Sequence, residues 1–201
     1  PPAARQTEAM FPLNLPNVLT LLRILLVPVL VVALGTEAEG GSEIAAAVFV
    51  IASLTDGLDG YIARSRQSIT TFGKVMDPVA DKLLIAAALL TLVSLDRVDA
   101  WVAMIVIARE FAVSGLRIAA GQQGVVIPAS GLGKVKTIVQ SAAVLALIAV
   151  ADPGSLWVQL LVYGMVLTTI VSGADYFLNF RRRIDEISRE RHARAGPVTD
   201  R

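Results

Sequence analysis

Six apolar runs of helical length dominate this sequence, at residues 18–34, 44–54, 79–95, 101–112, 138–151 and 156–170. A helix needs about 20 mainly apolar residues to cross a bilayer, or somewhat fewer with help from interfacial turns. Several of the runs are shorter than that and must be completed by flanking polar residues. Breakers separate them: Gly35 with Gly40 and Gly41, Pro78, Pro128 with Gly131, and the turn at Asp152, Pro153 and Gly154. The expectation is an all-α, polytopic integral membrane protein of six transmembrane helices, with five as the competing count. The first run lacks a clear small-residue cleavage site and is followed by further spans, so it does not read as a cleavable signal peptide. Composition agrees with a nonaqueous solvent. Of the 201 residues, 55% are apolar and 17% charged, against roughly 45–50% and 25% in average globular domains.

Charge supplies the orientation. Six spans place three short loops on the far side, near residues 36–42, 96–99 and 152–155, and of the 18 Lys and Arg residues only Arg97 falls there. Such asymmetry puts both termini in the cytoplasm. Three regions follow: an interfacial segment at 1–16, a six-helix membrane domain at 17–180, and a basic cytoplasmic tail at 181–201. The tail, which opens on Arg181, Arg182 and Arg183, suits solubility as well as contact with anionic lipid headgroups. A net charge of +1 gives no sign of a nucleic-acid partner. The chain has no cysteine and a single histidine, His192 in the tail. Thiol catalysis and thiolate metal sites are therefore excluded.

Four aspartates sit where carboxylates are costly. Asp56 and Asp59, then Asp77 and Asp81, flank the second and third spans on the near side. Spacings of three and four put each pair on one helix face, and a short loop makes the two helices neighbours. Four negative charges at the hydrocarbon boundary repel one another and resist desolvation. Two divalent cations would cancel them, and oxygen-only ligands suit Mg2+, with Mn2+ as a substitute. Asp77 also reads as the N-cap of the third helix, with Pro78 at its first position. Gly57 and Gly60 leave the helix bare beside the carboxylates, Arg64 follows one turn later, and Gly73 opens room before the third helix.

The stretch Asp56-x2-Asp59-Gly60-x2-Ala63-Arg64-x8-Gly73-x3-Asp77-x3-Asp81 resembles the signature of the CDP-alcohol phosphatidyltransferase family at every fixed position. Residues 14–23, 76–82, 108–110 and 133–137 further resemble the bacterial members that take glycerol 3-phosphate. Met76, where an aliphatic residue such as leucine is expected, and an acidic loop at 37–43 are the departures. The resemblance implies displacement of CMP from CDP-diacylglycerol by an alcohol, with two Mg2+ ions bound by Asp56, Asp59, Asp77 and Asp81. It gives Asp81 the role of base, frames the nucleotide with Gly60, Ala63, Arg64 and Gly73, and implies a homodimer in the bacterial plasma membrane with its site facing the cytoplasm. A lipid substrate with a water-soluble head requires an interfacial polar cleft, open to cytoplasm and sideways to lipid, where the second and third helices meet.

An acceptor that itself carries phosphate needs cations. Arg109, Arg117 and Lys134 lie at near-side ends of spans four and five, and Arg109 and Arg117, eight apart, share a face. Lys136 lies there too and reads equally well as an interfacial anchor. Asn17, Thr20 and Arg23 form a polar stripe on an otherwise apolar first helix, which suits contact with a substrate headgroup. A basic pocket serves inositol phosphate as well as glycerol 3-phosphate, and phosphatidylglycerol is a third acceptor within the family. A cation transporter, the reading from another class, would place its acids near the midplane and in paired halves. Here they gather at one interface.

Overall fold

A computed structural model describes residues 15–36, 42–66, 71–122 and 131–195; the side chains of residues 15–16 and 56–75, of Asp77 and of most residues beyond 186 lie outside that description. Six helices follow one another: α1 Leu15–Thr36, α2 Glu43–Arg66, α3 Thr71–Ser94, α4 Ala100–Gln122, α5 Gly131–Ala149 and α6 Leu156–Ala195. No strand occurs among the described residues. α1 packs on α2 and α3, α4 bridges α3 and α6, and α5 lies between α2 and α6.

The bundle has a dry end and a polar end. Leu30 and Leu34 of α1, Phe49 of α2, Leu89 and Leu92 of α3, Val102 and Val106 of α4, Leu147 and Ile148 of α5, and Val158 and Met165 of α6 are buried together. These come from alternating ends of successive helices, as an up-and-down bundle requires. Apart from Ser42, the buried polar side chains (Asn17, Thr20, Arg23, Thr55, Lys136, Gln140, Thr169 and Ser172) fall in the opposite half. Outside, Leu21, Leu25, Val32, Met104, Phe111, Ile138, Leu160 and Leu167 are exposed, an apolar surface far beyond what a soluble monomer shows. The chain is a helical membrane protein. Asn17–Thr36, Gly131–Ala149 and Leu156–Glu186 are long and apolar enough to cross a bilayer by length and composition. In α2 the shorter Glu43–Thr55 is apolar, while α3 and α4 carry the charges of Asp81, Lys82, Arg109, Glu110 and Arg117 inside their helices.

Turns at the dry end explain why the helices stop there. Ser42 caps α2, its Oγ accepting from the Ala45 amide at 3.0 Å, and its own amide donates to the Ile148 carbonyl at 3.1 Å. α3 ends with Asp96 at φ 54°, the Asp96 amide donating to Val93 and the Arg97 amide to Leu92. That is the double bond of a Schellman cap, with aspartate taking the left-handed position usually held by glycine. Before α6, Asp152 Oδ1 accepts from the Gly154 amide at 2.9 Å.

Arg97, the one basic residue expected on this side, has a structural task. Its Nε donates to the Leu147 carbonyl at 2.8 Å and its guanidinium also reaches the Val150 carbonyl. Both are carbonyls that the end of α5 leaves without helical partners. Burial holds the Arg97 pKa below the ordinary guanidinium value, and these carbonyls offset the desolvation. Arg97→Ala should therefore cost about 2 kcal/mol, the range for hydrogen bonds to charged groups. Thermal unfolding in detergent reads the effect as a lowered midpoint; an unchanged midpoint would show that the cap contributes nothing.

One expectation is corrected. α3 begins at Thr71, six residues before Asp77, so Asp77 is not an N-cap and Pro78 lies inside the helix rather than at its start. Proline forfeits one backbone bond, and tertiary packing carries the helix through it. The sixth helix continues without a break into the basic segment that begins at Arg181. At 1.5 Å per residue its 40 residues span about 60 Å, twice the hydrocarbon thickness.

Candidate active site

At the polar end, α3, α4, α5 and α6 enclose a cavity of about 390 Å³, within the usual range for small-molecule sites. Lys82, Arg109, Arg117, Lys134 and Lys136 line it against two carboxylates, Asp81 and Glu110. Among the described residues this leaves an excess of three positive charges, a site built for an anion. Arg109 and Arg117 of α4 and Lys134 of α5 thus line one cavity. Asp81 joins them on the same wall, half-buried and engaged with the protein.

Glu110 organises the cations. Its Oε1 lies 3.4 Å from Arg109 Nη1 and also accepts from Lys136 Nζ. Lys136 is only 4% exposed, which removes the reading of an anchor reaching for the interface. A lysine this buried requires a counter-charge, and Glu110 supplies it from the neighbouring helix. Arg109 is held from a third side, its Nη2 donating to Ser172 Oγ at 3.1 Å. Gly173 lets the arginine lie so close: a Cβ there would stand 3.3 Å from Arg109 Cγ. In the cavity lining the Arg117 guanidinium sits 5.7 Å from the centroid of the Tyr176 ring, within cation–π range.

The aspartate motif divides between α2 and α3. Asp56, Asp59, Gly60, Ala63 and Arg64 fall on α2, and Gly73, Asp77 and Asp81 on α3. The two helices pack on each other and both pack on α1. Beyond that backbone placement, only Asp81 of this set lies within the described side chains. The stripe of α1 turns inward: Asn17 is 7% exposed, Thr20 and Arg23 are fully buried, and all three are engaged within the protein. None of them lines the cavity. A fully buried arginine demands a polar environment, and α1 faces the two motif helices.

Sequence reasoning left out Lys82, Gln140, Ser172, Gly173 and Tyr176. Part of the signal was present: Thr169, Ser172 and Tyr176, spaced three and four apart, repeat on α6 the polar stripe that was noticed on α1. The α5 pair Lys136 and Gln140, four apart, does the same.

A helical membrane protein with a cationic cavity opening beside a carboxylate motif defines a class that handles anionic substrates at the bilayer surface. The model of the CDP-alcohol phosphatidyltransferase family matches residues 13–171, and the chain belongs to that family. It is 42% identical over 180 residues to a Bacillus subtilis protein named CDP-diacylglycerol–glycerol-3-phosphate 3-phosphatidyltransferase, covering 82% of this chain and 93% of that protein. A Rickettsia felis protein of the same name is 41% identical over 170 residues, with the same coverages. A Mycobacterium tuberculosis protein named probable phosphatidylglycerophosphate synthase is 39% identical over 178 residues, covering 87% of this chain and 85% of its own length.

Proposed function

We propose that this chain transfers the phosphatidyl group of CDP-diacylglycerol to sn-glycerol 3-phosphate, giving phosphatidylglycerophosphate and CMP. The observation that carries the reading is the shared wall: Asp81, last of the motif aspartates, lines the same cavity as Arg109, Arg117 and Lys134. A nucleophile held by those cations sits beside the carboxylate that would take its proton. The relatives' names support the same acceptor.

In this reading Asp56, Asp59, Asp77 and Asp81 hold two Mg2+ ions, or Mn2+ in their place. A donor set of carboxylates alone on two packed helices suits hard cations. Ions held there would supply charge neutralisation for a diphosphate and a departing CMP. The chain's own groups do the rest. Gly60, Ala63, Arg64 and Gly73 frame the nucleotide, and Asn17, Thr20 and Arg23 back the headgroup from α1. Arg109, Arg117 and Lys134 hold the acceptor phosphate, and Glu110 with Ser172 fixes the angle of Arg109. Asp81 takes the proton of the acceptor hydroxyl as its oxygen bonds to the lipid-bearing phosphorus. The bond from that phosphorus to CMP breaks, and CMP leaves with the electron pair. The lipid tails remain in the bilayer, since withdrawing them costs about 0.8 kcal/mol per CH2. The site faces the cytoplasm of a bacterial plasma membrane, as the charge asymmetry favours, and the protein works as a homodimer.

A product assay with CDP-diacylglycerol and a panel of acceptors tests the assignment; faster turnover of inositol phosphate than of glycerol 3-phosphate would overturn it. The pocket has its own test. Each charge-assisted contact contributes about 1.5–3 kcal/mol, so Arg117→Ala and Lys134→Ala should each raise the glycerol 3-phosphate KM about tenfold or more. The KM for CDP-diacylglycerol should stay unchanged, and an unaltered acceptor KM in both variants would remove the pocket.

Gly173 gives a subtler check. Gly173→Val puts a branched side chain where the Arg109 stem lies, so the acceptor KM should rise severalfold. Helix propensity does not fall on replacing glycine, so the unfolding midpoint should hold. A lowered midpoint with unaltered KM would mean that Gly173 serves packing alone.

A further inference from the structure

The cavity wall is rich in hydrogen-bond donors and poor in acceptors. Five cations face it, and of its two carboxylates Glu110 is already shared between Arg109 and Lys136, while Asp81 belongs to the aspartate motif. One carboxamide, Gln140, lines the same wall. It lies one turn beyond Lys136 on α5 and is only 4% exposed. Its Oε1 is buried and accepts no hydrogen bond from any described residue. A carboxamide oxygen can only accept, so the partner it lacks is a donor. Polar atoms buried in this way are rare in folded proteins and call for a partner.

The phosphate of the acceptor cannot be that partner. It offers only acceptor oxygens, which Gln140 Oε1 would repel. The group required is a donor, uncharged and small: a hydroxyl. Glycerol 3-phosphate has two hydroxyls, and the transfer consumes one of them beside Asp81. We infer that Gln140 accepts a hydrogen bond from the second, non-reacting hydroxyl of the acceptor and so sets which phosphorylated alcohols this enzyme uses. The oxygen of the same hydroxyl has donors within the cavity lining: Tyr176 Oη and Arg109 Nε are likewise buried without a hydrogen-bond partner among the described residues. One ligand hydroxyl, donating to Gln140 and accepting from both of these donors through its two lone pairs, would satisfy all three atoms. This rests on the acceptor pocket proposed above and adds the recognition of its uncharged half.

The test compares sn-glycerol 3-phosphate with 3-hydroxypropyl phosphate, which keeps the reacting hydroxyl and the phosphate but lacks the second hydroxyl. Both are assayed with the full chain in detergent at saturating CDP-diacylglycerol. The unmodified protein should prefer glycerol 3-phosphate about tenfold or more in kcat/KM, the loss expected when a buried acceptor goes unpaired. Gln140→Met, similar in volume, should bring the two acceptors close to equal, chiefly by slowing glycerol 3-phosphate. The ratio is taken within one preparation and is insensitive to the folded fraction. Should the methionine variant fail to fold, Gln140→Asn withdraws the acceptor by one methylene and is read in the same way. Absence of preference in the unmodified protein, or a preference that survives at position 140, would overturn the inference and assign the glutamine to solvent or packing. Arg117→Ala separates the two levels: it should raise KM for both acceptors and leave their ratio alone. If it does so while Gln140→Met leaves the preference intact, the pocket stands and only the hydroxyl contact falls.

Discussion

Asp81→Asn should lower turnover by about 10²–10⁴-fold, the range that a positioned general base contributes. Asparagine matches aspartate in shape and keeps an oxygen that can bind a cation, so the loss isolates charge and basicity. Asp81 is half-buried on the wall shared with the cations of α4 and α5. Removing its charge should leave the acceptor KM near its original value, since Arg109, Arg117 and Lys134 remain. Mg2+ titration separates base from ligand. Asp56→Asn, Asp59→Asn and Asp77→Asn weaken cation binding and should regain part of their rate as Mg2+ is raised, because a weakened site still fills by mass action. Asp81→Asn should not recover, because no concentration of cation restores a proton acceptor. Near-normal turnover of Asp81→Asn at saturating Mg2+ would show that the proton goes elsewhere.

The fold was legible where apolar length alone decides it. All six helices lie where the apolar runs stand, and the turns at the dry end carry the residues that announce turns: Ser42, Asp96, Asp152, Pro153 and Gly154. The polar ends were harder. α2 runs on to Arg66 and α4 to Gln122, and α3 starts at Thr71, each through charged residues that hydropathy counts against a span. A helix at the interface loses nothing by being polar, so periodicity in apolar residues cannot find its end. Pro78 misled for a related reason: its cost is local, and packing against α1 and α4 exceeds it.

The site divides along the same line. Arg109, Arg117 and Lys134 stood out because a charge near an apolar span needs a reason, and the aspartates because four of them need one more. Glu110 looked like a mere neighbour of Arg109 until Lys136, 26 residues away, proved to share its carboxylate. Gln140 and Tyr176 are ordinary residues in helical sequence. Only the meeting of α4, α5 and α6 shows their polar atoms buried at one cavity without hydrogen-bond partners among the described residues. Gly173 matters solely because Arg109 crosses it, a relation that no spacing within one helix encodes.

Removal of divalent cations should abolish turnover altogether. The motif sets four carboxylates on two packed helices. Two unit charges 4 Å apart interact with about 4 kcal/mol at an effective dielectric of 20, so four uncompensated carboxylates in one place would strain the packing of α2 on α3. They would also repel the diphosphate of the lipid nucleotide. The cations lining the cavity are already claimed by Glu110, Asp81 and the acceptor phosphate. Exhaustive chelation should therefore leave no measurable product and lower the unfolding midpoint. Added Mg2+ should restore both, and Mn2+ should restore at least part. The stability readout matters because it does not depend on substrate. Lost activity with an unmoved midpoint would place the cation on the nucleotide alone, arriving with the substrate rather than held by the protein. Activity that survives chelation, with the protein recovered intact, would refute the metal reading. The aspartates would then need a different source of compensation, and the buried guanidinium of Arg23 on the helix packed against both would be the first place to look.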